Sequence, residues 1–403
     1  MKIGIFGGTF SPPHLGHLAA ARAAIEALEL DKLLIVPAAV PPHKELPQGT
    51  PAPEHRLAMS EKMADALLMP GTAEVSTIEL ERPGKSYTAD TLAALRKQYP
   101  DARMWLLMGT DMFSTFHQWH DPSSILAQAG LCAFGRSERD DKALFAALAE
   151  ELEETLPEAK ITVITLPELV EISSTELREL LAKGEGGDFL LPAVYGYILM
   201  NGLYGTHADL KHLDIPELRA CSYSMVMQKR VRHIRGTEEE AVRLARRWGA
   251  DETMARRAGI LHDCTKYLEL EEQLALCGKY GVELDELERR AVKLLHSKTG
   301  ACIARYVFGE PDEVFNAIFW HTTAKENMTA LEKILYVADY MEPNRTFEGV
   351  ERLRELAYSD LDAALLLGVT TTIQEMKDRN LPVHRSTLRA QAWLREHGVT
   401  TEG

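Results

Sequence analysis

Over the first half of the chain, short apolar runs alternate with stretches of helical period. Lys2–Phe6, Leu33–Val36, Met104–Met108, Leu131–Phe134 and Ile161–Thr165 are brief, apolar and bounded by turn or polar residues, the pattern of buried strands. Between them, Leu15–Leu28, Glu54–Leu68, Ala89–Gln98 and Ala143–Thr155 carry a helical period. This alternation predicts an α/β domain, a parallel sheet with helices on both faces. From about Asp214 the period is helical throughout. Arg219–Ile234, Glu238–Trp248, Asp251–Cys264, Leu284–His296, Lys298–Val307, Pro311–His321, Ala330–Met341 and Leu361–Lys377 are the expected helices. Gly202–Asp214, with two glycines and few apolar residues, separates the two patterns. The expected organisation is an α/β domain over 1–204, a linker over 205–213 and an all-α domain over 214–403.

At 403 residues the chain is long enough for each half to bury its own core. The formal charge of −15 argues against a general nucleic-acid binder, which shows a basic excess or stripe. A local cluster of Lys, Arg, His and metal still reverses the field inside one cleft, so small anionic substrates stay open. No apolar run approaches the ~20 residues that span a bilayer, and Met1–Phe6 enters a strand-like run without a signal-peptide pattern. No membrane partner is expected. The five cysteines (Cys132, Cys221, Cys264, Cys277, Cys302) are scattered and form no Cys-x-x-Cys pair, which favours reduced thiols in a cytoplasm. The oligomeric state is left open, a homo-oligomer included.

Chemistry enters first at Gly7-Gly8-Thr9-Phe10-Ser11-Pro12-Pro13-His14-Leu15-Gly16-His17, between the first strand and the first helix. Paired glycines let the backbone turn sharply and approach a ligand, and the helix N-terminus offers N–H groups and a positive dipole end to phosphate. Two histidines three residues apart face that region and can donate to developing phosphoryl charge. Further on, Glu171-Ile172-Ser173-Ser174-Thr175-Glu176-Leu177-Arg178 also starts a helix. Ser173 with Glu176 reads as a capping box. The three successive hydroxyls and the forked donor of Arg178 read equally as a second phosphate cradle.

Together these two motifs resemble the Rossmann-like nucleotidyltransferases, and in detail the bacterial nicotinate-nucleotide adenylyltransferases, over about residues 1–204. That family has Asp where this chain has Ser11. Other segments carry the same resemblance: Pro41-Pro42-His43-Lys44, Ser86-Tyr87-Thr88-Ala89-Asp90-Thr91-Leu92, Gly109-Thr110-Asp111, Phe116-His117-Gln118-Trp119-His120 and Phe134-Gly135-Arg136. The resemblance implies in-line attack of nicotinic acid mononucleotide on the α-phosphorus of ATP with Mg²⁺, releasing pyrophosphate. It implies ATP contacts from Gly7, Gly8, Thr9, Phe10, His14, His17, Gly109, Asp111, Arg136, Ser173, Ser174, Thr175 and Arg178. Lys44, Tyr87, Thr88 and Trp119 would meet the mononucleotide, and His14, His17, Lys44 and Arg178 would carry catalysis. Selectivity for nicotinate over nicotinamide stays open.

In the helical half, metal-ligand types recur beside apolar neighbours: His233, the doublet His262-Asp263, His296, His321 and Asp339. Such placement is costly unless a metal or partner compensates. Singly, each is more often a core or cap residue; the ordered set resembles the HD superfamily of metal-dependent phosphohydrolases in its two-metal form. His321-Thr322-Thr323 and the Leu331–Arg345 segment resemble the bacterial HD-domain symmetrical diadenosine-tetraphosphate hydrolases, over about residues 214–390. That resemblance implies two transition-metal ions, iron being the expected one, and cleavage of diadenosine tetraphosphate to two ADP. Asp263 would bridge the two ions, with Arg230, Lys266 and Arg345 on the polyphosphate. A solvated charged face is the equal alternative for Arg230 and Lys266. For the domain as a whole, the alternatives are a nucleotide-binding regulatory module or hydrolysis of another nucleotide.

Overall fold

The computed structural model describes residues 1–41, 46, 48–69, 71–135, 142–166 and 170–401, with Lys142 described by its backbone alone. It divides into two compact units, Met1–His207 and Ala208–Gly403. Among the described residues of the first, six parallel strands form one sheet: β1 (Lys2–Gly8), β2 (Lys32–Pro37), β3 (Ala73–Val75), β4 (Arg103–Gly109), β5 (Ala129–Phe134) and β6 (Ile161–Ile164). Their order is β3-β2-β1-β4-β5-β6. Strand order therefore reverses between β1 and β4, and the crevice beyond their carboxyl ends is where open α/β sheets take ligands. Alternate side chains feed two cores. Ile3 and Ile5 of β1 pack with Leu92, Leu106 and Phe116 on one face, while Phe6 packs with Leu18, Ala24 and Leu107 on the other.

The α/β arrangement expected from the sequence is what the structure contains, with one addition. Strand β3 is three residues long and partly exposed at the sheet edge, too short for its period to register.

The second unit is helical among its described residues, but its breaks differ from those expected. The expected helix Arg219–Ile234 is interrupted, giving Ile215–Ser224 and then Gln228–Trp248. Gly236 lies inside the latter helix, where a Cβ would stand 2.3 Å from Glu342 Oε2. Likewise Val292–Tyr306 runs unbroken through Ser297, so His233 and His296 sit within helices, not at their ends. Leu270–Lys279, Val350–Ser359 and Arg385–Glu396 are additional helices, short and largely polar, that the apolar pattern did not reveal.

Helices Gln228–Trp248 and Glu252–Leu261 pack closely at Gly259, where a Cβ would lie 2.7 Å from Glu238 Cα. Backbone cannot yield as a flexible side chain does. Gly259→Ala is therefore expected to cost about 1–3 kcal/mol or more, the range for overpacking a core. Thermal unfolding of the purified variant checks this; an unchanged midpoint would show that the two helices are free to separate.

Candidate functional site

In the first unit, a cleft of about 180 Å³ opens at the carboxyl ends of β1 and β4. Gly7, Gly8, Thr9, His17, Thr88, Gly109, Asp111, Trp119 and Ser174 all line it. A Cβ on Gly7 would meet nothing within 4 Å, so protein packing does not demand this glycine, and its backbone is open to the cleft. At Gly16 the demand is internal, because a Cβ would come within 3.0 Å of the His14 ring.

His17 Nδ1 accepts a hydrogen bond from the His14 backbone N–H at 3.2 Å. The neutral ring therefore carries its proton on Nε2, the form that can donate to phosphate. Its ring is held 3.8 Å from that of His14 and 5.2 Å, edge-on, from that of Phe10. Phe10 itself is buried at a positive φ of 45°, so it props the histidine and does not line the cleft. Tyr87 likewise does not line it; its ring packs 4.4 Å from that of His120.

The second motif forms the capping box that its sequence allowed, and one of its three hydroxyls faces the cleft. Ser173 caps helix Ser174–Leu181, accepting from Glu176 N at 3.1 Å while Glu176 Oε2 accepts from Ser173 N at 2.9 Å. Its neighbour Ser174 lines the cleft. Arg178 donates to the carbonyl of Ser11 at 2.9 Å and to Thr175 Oγ1 at 3.0 Å, tying this helix to the glycine-rich loop. Ser11, the departure from the family pattern, is buried with its hydroxyl 3.2 Å from that of Tyr204. Lys44 and Arg136 lie outside the described residues.

Two residues of this site escaped the sequence reading. Arg56 is fully buried and donates to the carbonyls of Thr9 (3.1 Å) and Ala38 (2.6 Å), joining the loops after β1 and β2; burial lowers its pKa. The signal was present: Arg56, Met59 and Met63 share one buried helix face, a charge on an apolar stripe. Glu79 lines the cleft and accepts from Thr91 Oγ1 at 2.8 Å; burial raises its pKa. It is 12 residues from Thr91, and no local pattern joins the two.

In the second unit the six expected ligands converge as two triads, His233–His262–Asp339 and Asp263–His296–His321. Asp263 faces both. Its Oδ2 lies 3.6 Å from His262 Nε2 and 3.7 Å from His233 Nε2, and its Oδ1 lies 3.2 Å from His296 Nε2 and 3.9 Å from His321 Nε2. Three of the imidazoles point Nδ1 at carbonyls: His262 at Gly259 (2.7 Å), His296 at Lys293 (2.8 Å) and His321 at Ile318 (2.7 Å). Donation from Nδ1 leaves the lone pair on Nε2, the form in which an imidazole can bind a metal while its other nitrogen fixes the ring.

Burial holds the pKa of His262, His296 and His321 down at about 4, the neutral ligand form at pH 7. His296 and His321 then set two Nε2 lone pairs 3.1 Å apart, and the Lys266 ammonium lies 2.9 Å from that of His296, so positive charge is already drawn to this point. Burial also opposes the charge on His233, but hydrogen bonds to Asp339 and Glu342 outweigh it and raise its pKa. Burial opposes ionisation of Asp263 and Asp339 too. His262 and Lys266 nonetheless hold Asp263 well below the usual carboxylate range, and the His233 hydrogen bond does the same for Asp339.

The three cations proposed for polyphosphate all face ligand carboxylates. Arg230 Nε donates to Asp263 Oδ2 at 2.5 Å, Lys266 Nζ lies 3.4 Å from Asp263 Oδ1, and Arg345 Nη2 donates to Asp339 Oδ1 at 3.0 Å. Imidazole and carboxylate donors at this density suit transition metals better than calcium, so the donor set fits a metal pair. Glu342, whose Oε1 lies 3.2 Å from His233 Nδ1, was not singled out as part of the metal centre from sequence.

Among the described residues no helix is long and apolar enough to cross a membrane. The cytidylyltransferase-like family matches residues 5–180 and the HD-domain family residues 230–344. A probable nicotinate-nucleotide adenylyltransferase of Gemmatimonas aurantiaca is 38% identical over 205 residues, covering 51% of this chain and 92% of the relative. Its counterpart from Halalkalibacterium halodurans is 36% identical over 211 residues, 52% of this chain and 94% of the relative. The symmetrical bis(5'-nucleosyl)-tetraphosphatase of Bacillus subtilis is 36% identical over 179 residues, 44% of this chain and 96% of the relative. With the glycine-histidine cleft in one unit and the paired triads in the other, the chain belongs to the nicotinate-nucleotide adenylyltransferase family in its first half, fused to a member of the HD-domain family.

Proposed function

We propose that this chain is a bifunctional enzyme, joining ATP to nicotinic acid mononucleotide in its first half and splitting diadenosine tetraphosphate into two ADP in its second. The transferase reading rests on the cleft at the β1/β4 switch point, where His17 presents an Nε2–H beside the open backbone of Gly7. A phosphate oxygen of the mononucleotide bonds to the α-phosphorus of ATP as the bond to the β-phosphate oxygen breaks. Pyrophosphate leaves with the electron pair, and no covalent enzyme intermediate forms. His17 donates to the crowded oxygens as charge builds, Ser174 and the loop N–H groups orient them, and Asp111 accepts from ribose. Mg²⁺ bound with ATP would neutralise charge on the leaving pyrophosphate.

The hydrolase reading rests on one observation above the rest, a buried carboxylate with one oxygen toward each triad. His233, His262 and Asp339 would hold one ion and His296 and His321 the other, with Asp263 shared. Two transition-metal ions there, iron in this reading, would lower the pKa of a water and polarise phosphoryl oxygens. The water oxygen bonds to one central phosphorus as that phosphorus loses its bond to the bridging oxygen. The bridging oxygen leaves with the electron pair on the other half and the water's proton passes to solvent, so each half keeps two phosphates. Arg230, Lys266 and Arg345 turn from the ligand carboxylates to the polyphosphate as it binds.

Assays of the full-length protein test both halves. With ATP, nicotinic acid mononucleotide and Mg²⁺, pyrophosphate and deamido-NAD are expected in equal amounts. With diadenosine tetraphosphate and iron, manganese or zinc, ADP is the expected sole nucleotide product. No pyrophosphate release would overturn the first reading; no hydrolysis, or AMP with ATP, would overturn the second.

A further inference from the structure

The four metal-facing histidines are not held alike. His262, His296 and His321 each point Nδ1 at a carbonyl three residues earlier in their own chain segment, at 2.7 to 2.8 Å. His233 instead points Nδ1 at a carboxylate 109 residues away, Glu342 Oε1 at 3.2 Å. That carboxylate is 1% exposed. Its other oxygen accepts from the backbone N–H of Asn344 at 2.8 Å and from Asn344 Nδ2 at 2.7 Å. The turn carrying it is pinned by Arg354, which donates to the carbonyls of Met341, Glu342 and Arg345.

A second observation shows that the opposing helix is shaped for this carboxylate. Gly236 stands three residues after His233, on the same helix face. A Cβ there would lie 2.3 Å from Glu342 Oε2 and 3.2 Å from Glu342 Cδ. Glycine in a helix interior is unfavourable, and at this position it admits the carboxylate.

From these contacts we infer that Glu342 is a positioning residue that fixes the His233 ring and makes the two ion positions unequal. It acts on the triad His233–His262–Asp339 and not on Asp263–His296–His321. A buried carboxylate on Nδ1 orients the ring and raises the basicity of Nε2; carbonyl partners orient without adding charge. The inference rests on the metal-pair reading of the same site.

The test is manganese(II) binding to the full-length protein, followed by titration calorimetry and by electron paramagnetic resonance, which separates a coupled pair from a single ion. In the wild-type protein two ions are expected. In Glu342→Ala one of them is expected to weaken about 10–100-fold, the range for loss of such a partner, while the other keeps its affinity and gives an uncoupled signal. Glu342→Gln retains an acceptor without the charge and is expected to fall between. Gly236→Ala, which displaces the carboxylate without removing it, should weaken the same ion. Circular dichroism confirms that each variant is folded. Wild-type affinity for both ions in Glu342→Gln and Glu342→Ala would overturn the inference, as would equal loss of both in a folded variant. Failure of the wild-type protein to bind two ions would overturn the metal-pair reading itself, and this inference with it.

Discussion

Asparagine in place of Asp263 is expected to reduce tetraphosphate hydrolysis at least about 1000-fold, since a metal pair supplies several kcal/mol and each 1.36 kcal/mol is a factor of ten. The carboxamide has nearly the same shape, so the surrounding packing is kept. It has only one oxygen, and its NH₂ group must then face one triad or the other. Both triads need an acceptor at that point, because Asp263 presents Oδ2 to His262 and Oδ1 to His296. Metal content should fall below two ions per chain whichever way the amide turns. Asp263 also neutralises Arg230, and breaking a buried pair by removing one partner costs about 3–5 kcal/mol. A lower thermal midpoint is therefore expected in metal-free protein. Pyrophosphate release by the first half should be unchanged. Retained hydrolysis with two bound ions would remove Asp263 from the bridging role.

The legible parts of this molecule were those in which one segment carries its own signal. Strands β1, β4 and β5 announce themselves because parallel strands buried on both faces read as apolar runs. The glycine loop and its two histidines lie within 11 residues, Gly7 to His17, so their convergence needs only a strand, a turn and a helix. The ligand set was also readable, because each of its members interrupts an apolar neighbourhood. What stayed hidden depends on pairs of distant residues. Glu342 matters through His233, and Arg56 through the carbonyls of Thr9 and Ala38. Gly236 stayed hidden for the same reason: the side chain that crowds it lies 106 positions further along, and only the fold brings the two together. The doubled meaning of Ser173-Ser174 belongs here too. The capping box uses Ser173 while Ser174 faces the cleft, so the cap does not exclude the proposed phosphate role of its neighbour.

Alanine in place of His17 is expected to slow adenylyl transfer about 100–1000-fold in kcat, the effect of deleting one preorganised donor to developing charge. The KM for ATP should move much less, because Gly7, Gly8, Thr9 and Asp111 remain on the cleft wall, and in the proposed reading they hold substrate and transition state alike. Two features make His17 the more consequential of the two histidines. Its tautomer is set by the His14 backbone N–H at 3.2 Å, so the proton is already on Nε2 before substrate arrives. Its ring is also backed by Phe10 and Phe6, at 5.2 and 6.0 Å, so little reorganisation is needed as charge develops. Removing the ring takes support from Phe10, so a thermal midpoint and a fluorescence titration with ATP should accompany the rate. If the variant is folded, binds ATP normally and loses less than about tenfold in kcat, the donor to the transferring phosphoryl group must be sought elsewhere. A large loss confined to kcat, with tetraphosphate hydrolysis untouched, would place the chemistry of the first half at Nε2 of this one imidazole.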